Sequence, residues 1–249
     1  LKEAAWGCYF PPGLNPRDAG GGRFRADKKW TSILSPYLRF GDLSPRYVYA
    51  RCRAALPFEL RRLFTKRVVW RDKAYAQLYR WPDSHCVSIR PQYEHEQWSG
   101  TRLQLRRWQR GETGFPLVDA AMRQLWKVGW MCNHLRHVTA QFLIEHLDLN
   151  WKDGFAWYDY TLVDTDVAIN AMMWQMGGHS GIGAWNFVMH PVRDDIRENE
   201  ENKITLMMTP DDPRSSVRRN LGFAKGVHSG IIYDETKRFE AMYDAIGDF

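Results

Sequence analysis

The sequence has only four cysteines in 249 residues, and none forms a C-x-x-C pair or stands at a zinc-ligand spacing from a histidine. This shortage argues against a disulfide-stapled secreted protein and against a zinc site. It favours free thiols in a reducing compartment such as the cytosol, the nucleus or the plastid stroma. No run of 18 apolar residues is present, which argues against a membrane-spanning helix. The glycines at 20–22 lack the Gly-Lys that completes a phosphate-binding loop.

Aromatic residues, by contrast, are abundant: 12 Trp, 11 Tyr and 12 Phe make up 14% of the chain. This content is compatible with a bulky hydrophobic core. It also suits a protein that surrounds a planar ligand or conducts electrons, because indole rings stack well and are readily oxidised. Composition alone favours the core.

The net charge of +6 is modest, but its distribution is uneven. Between Arg46 and Arg110 the chain carries 15 Lys and Arg against 5 Asp and Glu. A basic stretch of this kind is typical of a surface that binds a polyanion such as DNA. A solvated helix face, or a surface that meets an acidic partner, would have the same composition, and both interpretations stay open.

The apolar spacing predicts an all-α protein in three parts. Residues 1–30 form an irregular lead, 31–190 a helical domain, and 191–249 a divergent, partly acidic extension. Within the domain we predict helices over 45–56, 59–79, 101–110, 119–128, 133–146 and 168–176, with a turn at Trp151. We also expect a terminal helix at 234–246.

Two groups of polar residues could form a site. Hydroxyl residues stand at the predicted start of a helix, at Thr31, Ser32 and Ser35, where they could cap the helix or bind an anion. Further along, Asn133 and Arg136 share a helix face, and two carboxylates and an amide follow at Asp164, Asp166 and Asn170. Arg136 is a natural partner for Asp164, and a structural ion pair is the simplest interpretation.

Taken together, six strings in a fixed order resemble the FAD-binding domain of the DNA photolyase/cryptochrome superfamily. They are Thr31–Ser35 with Phe40–Arg46, Val69–Asp72, Gly114–Arg123, Gly129–Arg136, Asn150–Gly154 and Asp164–Gln175. The resemblance implies an all-helical fold that holds FAD. By position, the residues expected to bind FAD are Thr31, Ser32, Leu34, Ser35, Arg71, Trp108, Asn133, Arg136, Asp164, Asp166 and Asn170.

The resemblance also implies a route for electrons toward the flavin. Trp174, Trp151 and Trp98 occupy the positions of a chain of three tryptophans, from inner to outer, and we call them the first tryptophan route. Asn170 would lie near the reactive nitrogen of the flavin. These residues together predict light-driven reduction of bound FAD.

The sequence departs from the family on the substrate side. Trp70, one of two tryptophans that cradle a pyrimidine dimer, is kept, but its partner position holds Met176. A glutamate that contacts the lesion in dimer photolyases is replaced by Arg67. Three functions stay open: a light or redox sensor with a weakened lesion site, a working DNA photolyase, and a scaffold subunit that meets a protein complex through 191–249.

Overall fold

The computed structural model describes residues 31–182, 187–189 and 203–205, except for the side chains of Glu59, Leu63 and the two strand segments. The predicted lead 1–30, most of the extension 191–249 and the predicted terminal helix at 234–246 lie outside the described residues. Among the helices of the described part, none is long and apolar enough to cross a membrane.

Helices dominate the described residues, which confirms the predicted all-α class. In chain order they are α1 (Ser35–Phe40), α2 (Pro45–Ala55), α3 (Phe58–Arg80), α4 (Arg102–Arg110), α5 (Pro116–Val128), α6 (Asn133–Gln141), α7 (Trp151–Thr161) and α8 (Val167–Gly177). A 3-10 turn lies at Pro91–Tyr93, and a π-helical turn, Phe142–His146, continues α6.

A short antiparallel ladder pairs β1 (Phe187–Met189) with β2 (Lys203–Thr205), with Val188 opposite Ile204. The ladder joins residues on both sides of position 190. The division of the chain at that position stays a prediction.

Local signals explain most of the helix ends. Thr101 and Gln104 form a reciprocal capping box at the start of α4, and Gly111 ends that helix with φ of 63°. Asp166 begins α8 by accepting hydrogen bonds from the backbone N–H groups of Ala168 and Ile169.

One helix was predicted wrongly. We expected a turn at Trp151, but Trp151–Thr161 is helical, with the Asn150 side chain capping its start by accepting from the N–H of Lys152. Aromatic residues and Gly154 give this segment low intrinsic helix propensity. Burial of Trp151, Gly154 and Tyr158 on one face therefore supplies the stability that propensity lacks.

The main hydrophobic core lies among α4 to α8 and contains Trp108, Trp151, Tyr158 and Trp174. A smaller cluster joins α2, α3 and Leu34, and a third joins Ala74 of α3 to Ala168, Met172 and Met176 of α8. Because α8 contributes to both the main core and the third cluster, it fixes α3 against the rest of the domain. The space left between these elements forms the candidate site.

A buried imidazole ties the loop after the 3-10 turn to the π-helical turn. His179 contacts Glu145 through Nε2 at 2.8 Å and Glu96 through Nδ1 at 3.3 Å, and all three side chains are buried. Burial alone would lower the pKa of His179, but the two carboxylates outweigh it and raise that pKa to about 9. The imidazole is therefore protonated at neutral pH and closes a charged cluster, Glu96–His179–Glu145.

This cluster predicts a pH-dependent stability. Since the folded pKa of His179 lies above its unfolded value, its contribution is fully present below about pH 6.5. It is lost as the pH rises through about 9. We expect the free energy of unfolding, measured in urea, to fall by roughly 2–3 kcal/mol over this range, at about 1.4 kcal/mol per pKa unit.

The control replaces the three side chains of the cluster with amides, as His179→Asn with Glu96→Gln and Glu145→Gln. Asn suits this position because its backbone φ is 69°. The difference in the free energy of unfolding between the wild type and the triple variant should become smaller between pH 6.5 and 9. A difference that stays constant would show that His179 does not titrate in this range.

Candidate cofactor site

A cavity of about 420 Å³ opens between α3, α6, α8 and the segment that leads into α1. Its lining combines polar and apolar side chains. The predicted site residues that line it are Thr31, Ser32, Leu34, Ser35, Arg67, Trp70, Arg71, Asn133, Arg136, Asp164, Asp166, Asn170, Trp174 and Met176. The structure thus brings together residues that are up to 145 positions apart in the sequence.

The cavity lining includes the hydroxyl residues Thr31, Ser32 and Ser35. Of the two interpretations of these residues, helix capping is wrong, because Leu34 occupies the cap position of α1 and no side chain caps it. Ser35 instead accepts a hydrogen bond from Nε1 of Trp130, at 3.1 Å. These hydroxyls offer hydrogen-bond donors that suit an oxygen-rich, anionic group.

Arg136 and Asp164, which also line the cavity, form the expected ion pair. The Nη2 atom of Arg136 lies 2.8 and 3.0 Å from the two carboxylate oxygens, and its Nε donates to the carbonyl of Met131 at 2.9 Å. The Asp164 side chain is only 1% exposed. The guanidinium is therefore held in one orientation at the cavity wall.

Asp166 lies beside this pair and is engaged at both oxygens. One oxygen caps α8, and the other accepts a hydrogen bond from Tyr75 at 2.7 Å and lies 3.1 Å from Nη1 of Arg71. Burial, followed by the hydrogen bond to Asp166, raises the pKa of Tyr75 above its usual value. Tyr75 therefore keeps its proton and positions the Asp166 carboxylate from α3.

Asn170 follows one turn later on α8, and its side-chain nitrogen donates to the carbonyl of Phe155 at 3.3 Å. Asn133, at the start of α6, also lines the cavity and is exposed. With Arg71, the lining therefore presents two amides, two carboxylates and two guanidinium groups. Such a mixed set of donors and acceptors suits the polar edge of a planar ring system.

Trp174 forms part of the apolar wall, and its ring is tightly enclosed. A Cβ added at Gly154 of α7 would fall within 2.5 Å of its Cζ3 atom. Conversely, a Cβ at Gly178, just past α8, would fall 2.5 Å from Cδ1 of Trp151. Trp174 of α8 therefore packs on a glycine within α7, and Trp151 of α7 packs on the glycine that follows α8, which brings Trp174 and Trp151 to the same crossing. Trp98 is half-buried and packs against the same core.

Trp108 does not lie where we expected it. It is fully buried, donates from Nε1 to the carbonyl of Thr139 at 3.0 Å, and stacks on Tyr158 at 6.1 Å between ring centroids. Tyr158 lines the cavity and Trp108 does not. Trp108 therefore supports the wall from behind, and the assignment of this residue as a cofactor contact is corrected.

Sequence analysis missed three residues of the site: Tyr75, His137 and Tyr158. Tyr75 stands four residues after Arg71 on α3, and this spacing could have revealed it. His137 follows Arg136 directly and lines the cavity near Arg67. Loss of solvation, with His134, Arg67 and Arg136 nearby, lowers the pKa of His137 to about 3, so its imidazole is neutral.

The family model described as the FAD binding domain of DNA photolyase matches residues 64–204, more than half of the chain. The chain belongs to this family.

Among its relatives is a deoxyribodipyrimidine photo-lyase of Agrobacterium fabrum, 37% identical over 69% of this chain and 37% of that protein. Cryptochrome-2 of Arabidopsis thaliana is 34% identical over 58% of this chain and 25% of that protein. A bacterial class III photolyase from Agrobacterium tumefaciens, known from a crystal structure, superimposes with a TM-score of 0.66 at 30% identity, covering 92% of this chain and 52% of that one.

The resemblance to the photolyase/cryptochrome superfamily and its helical FAD-binding fold is thus confirmed. The chain spans about a quarter to a half of the relatives it matches. Family membership therefore describes this domain, and the activity of a whole photolyase is a separate question.

FAD is the cofactor of this family, and the cavity fits it. A flavin dinucleotide joins an anionic diphosphate to a flat ring with a polar edge. The cavity offers hydroxyls for the diphosphate, an anchored guanidinium with carboxylates and amides for the polar edge of the ring, and apolar side chains such as Leu38, Met172 and Trp174. No cluster of three metal-ligating residues occurs in the described ranges.

Proposed function

We propose that this chain is a light- or redox-responsive flavoprotein that reduces its FAD through the first tryptophan route. One observation carries the proposal: Trp174 lines the cofactor cavity, and its ring packs at the helix crossing that also holds Trp151. A buried, tightly enclosed pair of indoles beside a flavin cavity is suited to electron transfer because its geometry is fixed.

In this proposal Thr31, Ser32, Leu34 and Ser35 hold the diphosphate. Asn133, Arg136, Asp164, Asp166 and Asn170 surround the polar edge of the ring. FAD supplies absorption of blue light and accepts an electron. Because Arg136 is fixed by Asp164 and by the carbonyl of Met131, its positive charge stays at the wall without rearrangement.

Trp174 donates an electron toward the cavity. Trp151 then reduces the oxidised Trp174, and Trp98 in turn reduces the oxidised Trp151. Trp174 and Trp151 are both 2% exposed, so water does not reach either ring. Trp98 is only half-buried, and the positive charge left on it can be neutralised by a reductant from solution. Moving the charge outward in this way separates it from the reduced cofactor.

The lesion side of the cavity supports sensing over dimer repair. Met176 provides no stacking plane where dimer photolyases have a second tryptophan, although it can pack against a base. Arg67 places a positive charge where those enzymes have a carboxylate that accepts hydrogen bonds from the lesion. Both residues line the same cavity as Trp70.

The decisive measurement is the absorption spectrum of the purified protein before and after blue light, with a thiol reductant present. We expect flavin bands that bleach in the wild type and fail to bleach in Trp174→Phe, because the inner donor is lost. Trp81→Phe, at the end of α3 and outside the cavity lining, is the matched control and should bleach normally. A Trp174→Phe protein that bleaches at the wild-type rate would contradict the proposal.

DNA repair is the second candidate, favoured by Trp70 at the cavity and by the basic stretch 46–110. On α3, Lys73 lies 4.4 Å from the ring centroid of Trp70, so a cation accompanies this aromatic surface. Repair predicts that illuminating the reduced protein lowers the number of pyrimidine dimers in damaged DNA. It also predicts that binding to this DNA weakens steeply with salt. An unchanged number of pyrimidine dimers would exclude repair and favour the sensing function.

A further inference from the structure

A second pair of tryptophans joins α7 to α5. Trp157 of α7 and Trp126 of α5 stack with 5.7 Å between ring centroids and an interplanar angle of 7°. Trp126 is 65% exposed, while Trp157 is half-buried and packs against the main core. This pair reaches from the core to solvent.

The spacing of α7 connects this pair to Trp174. The Trp174 ring rests on Gly154, and Trp151 and Trp157 stand three residues before and three residues after that glycine. Side chains three apart on a helix have Cβ atoms about 5–6 Å apart. Trp174 therefore has one tryptophan a turn away on each side along α7.

The chemistry of the indole N–H distinguishes Trp157 from Trp126. Nε1 of Trp157 is buried and has no hydrogen-bond partner among the described residues. An oxidised indole with no acceptor keeps its proton, so the positive charge on Trp157 stays mobile. Trp126 faces water and can release its proton once oxidised. A stacked pair also shares a positive charge between two rings, which favours its transfer to this site.

Tyr158 is a less suitable carrier, although its ring meets Trp174 edge-on at 5.0 Å. Its hydroxyl is bonded to Thr139 and to the carbonyl of Arg136, and burial raises its pKa above the usual range. Oxidation of a tyrosine requires loss of the phenolic proton, and neither partner is a base. The positive charge on Trp174 therefore passes to a tryptophan in preference to Tyr158.

We propose that Trp157 and Trp126 form a second tryptophan route, which reduces oxidised Trp174 independently of Trp151 and Trp98. The inference rests on the proposed function. One electron passes from Trp157 to oxidised Trp174, and one from Trp126 to oxidised Trp157. Trp126 then releases its indole proton to water, and a thiol in solution returns one electron and one proton while it is oxidised to the thiyl radical.

The test compares flavin bleaching under blue light with a thiol reductant in Trp98→Phe, Trp157→Phe and the double variant of the full chain. We expect each single variant to retain part of the wild-type rate. The double variant should fall to the level of Trp174→Phe, because both routes are interrupted. Transient absorption of Trp98→Phe should also show a neutral tryptophan radical. This radical should be absent when Trp126→Phe is added to Trp98→Phe.

A structural readout needs no flavin. Stacked indoles give an exciton couplet in the circular dichroism spectrum, and we expect Trp126→Phe to lose it while Tyr160→Phe, beside the pair, keeps it. A double variant that bleaches like Trp98→Phe alone would overturn the second route and leave the proposed function intact. Normal bleaching in Trp174→Phe would overturn the proposed function itself, so the two failures are distinguishable.

Discussion

Replacing Asp164 by Asn is expected to lower the free energy of unfolding by about 3 kcal/mol and to release FAD. The reason is that Arg136 would keep its charge beside a buried neutral amide. Breaking a buried ion pair by removing one partner costs about 3–5 kcal/mol. We expect a cost at the lower end of this range, because the Arg136 side chain is 23% exposed and retains some hydration.

The measurement is urea unfolding of Asp164→Asn against the wild type, together with the flavin content after purification. Lys152→Gln is a suitable control because it breaks another ion pair, with Glu94 at 2.6 Å, whose side chains are more exposed. That exposed pair should contribute less than about 1 kcal/mol. If Asp164→Asn were no more destabilising than Lys152→Gln, Asp164 would not be what holds Arg136 at the cavity.

The Arg136–Asp164 pair shows how much of the site could be predicted from sequence. A guanidinium and a carboxylate placed among apolar helical segments need partners when buried, and both residues lie in strings that resemble the family. That requirement, with the order of the strings, predicted the pair without any coordinates. The same order predicted that Asn133, Asp166 and Asn170 lie close by, and the structure places them around one cavity.

Other parts could not be predicted because tertiary packing decides them. The helix at Trp151–Thr161 contains residues of weak helix propensity and forms because its apolar face is buried. Trp108 stands in the expected position in the sequence, yet Tyr158 separates it from the cavity. Tyr75 shares a helix face with Arg71, but its hydrogen bond to Asp166, 91 residues away in the sequence, depends on tertiary packing.

Gly154 of α7 explains why Trp174 and Trp151 lie at one helix crossing. Replacing it by Ala tests this packing, because the stability should fall if Trp174 packs on Gly154 and rise if it does not. In an exposed helix, replacing Gly by Ala stabilises by about 1 kcal/mol. Here the added Cβ would fall within 2.5 Å of the Trp174 ring, which is 2% exposed and enclosed by the core. Such overpacking costs about 1–3 kcal/mol, so we expect Gly154→Ala to be less stable than the wild type.

The companion variant is Ala156→Gly, two residues further along α7 at an exposed position, which should lose about 1 kcal/mol from propensity alone. Urea unfolding of both variants separates steric from propensity effects, and flavin bleaching reports on Trp174. Because Gly154→Ala forces the ring of the inner donor to move, we expect it to slow bleaching, while Ala156→Gly bleaches at the wild-type rate. A Gly154→Ala protein with increased stability and normal bleaching would mean that Trp174 does not pack on α7 at this glycine. Both tryptophan routes would then lose their common geometric basis.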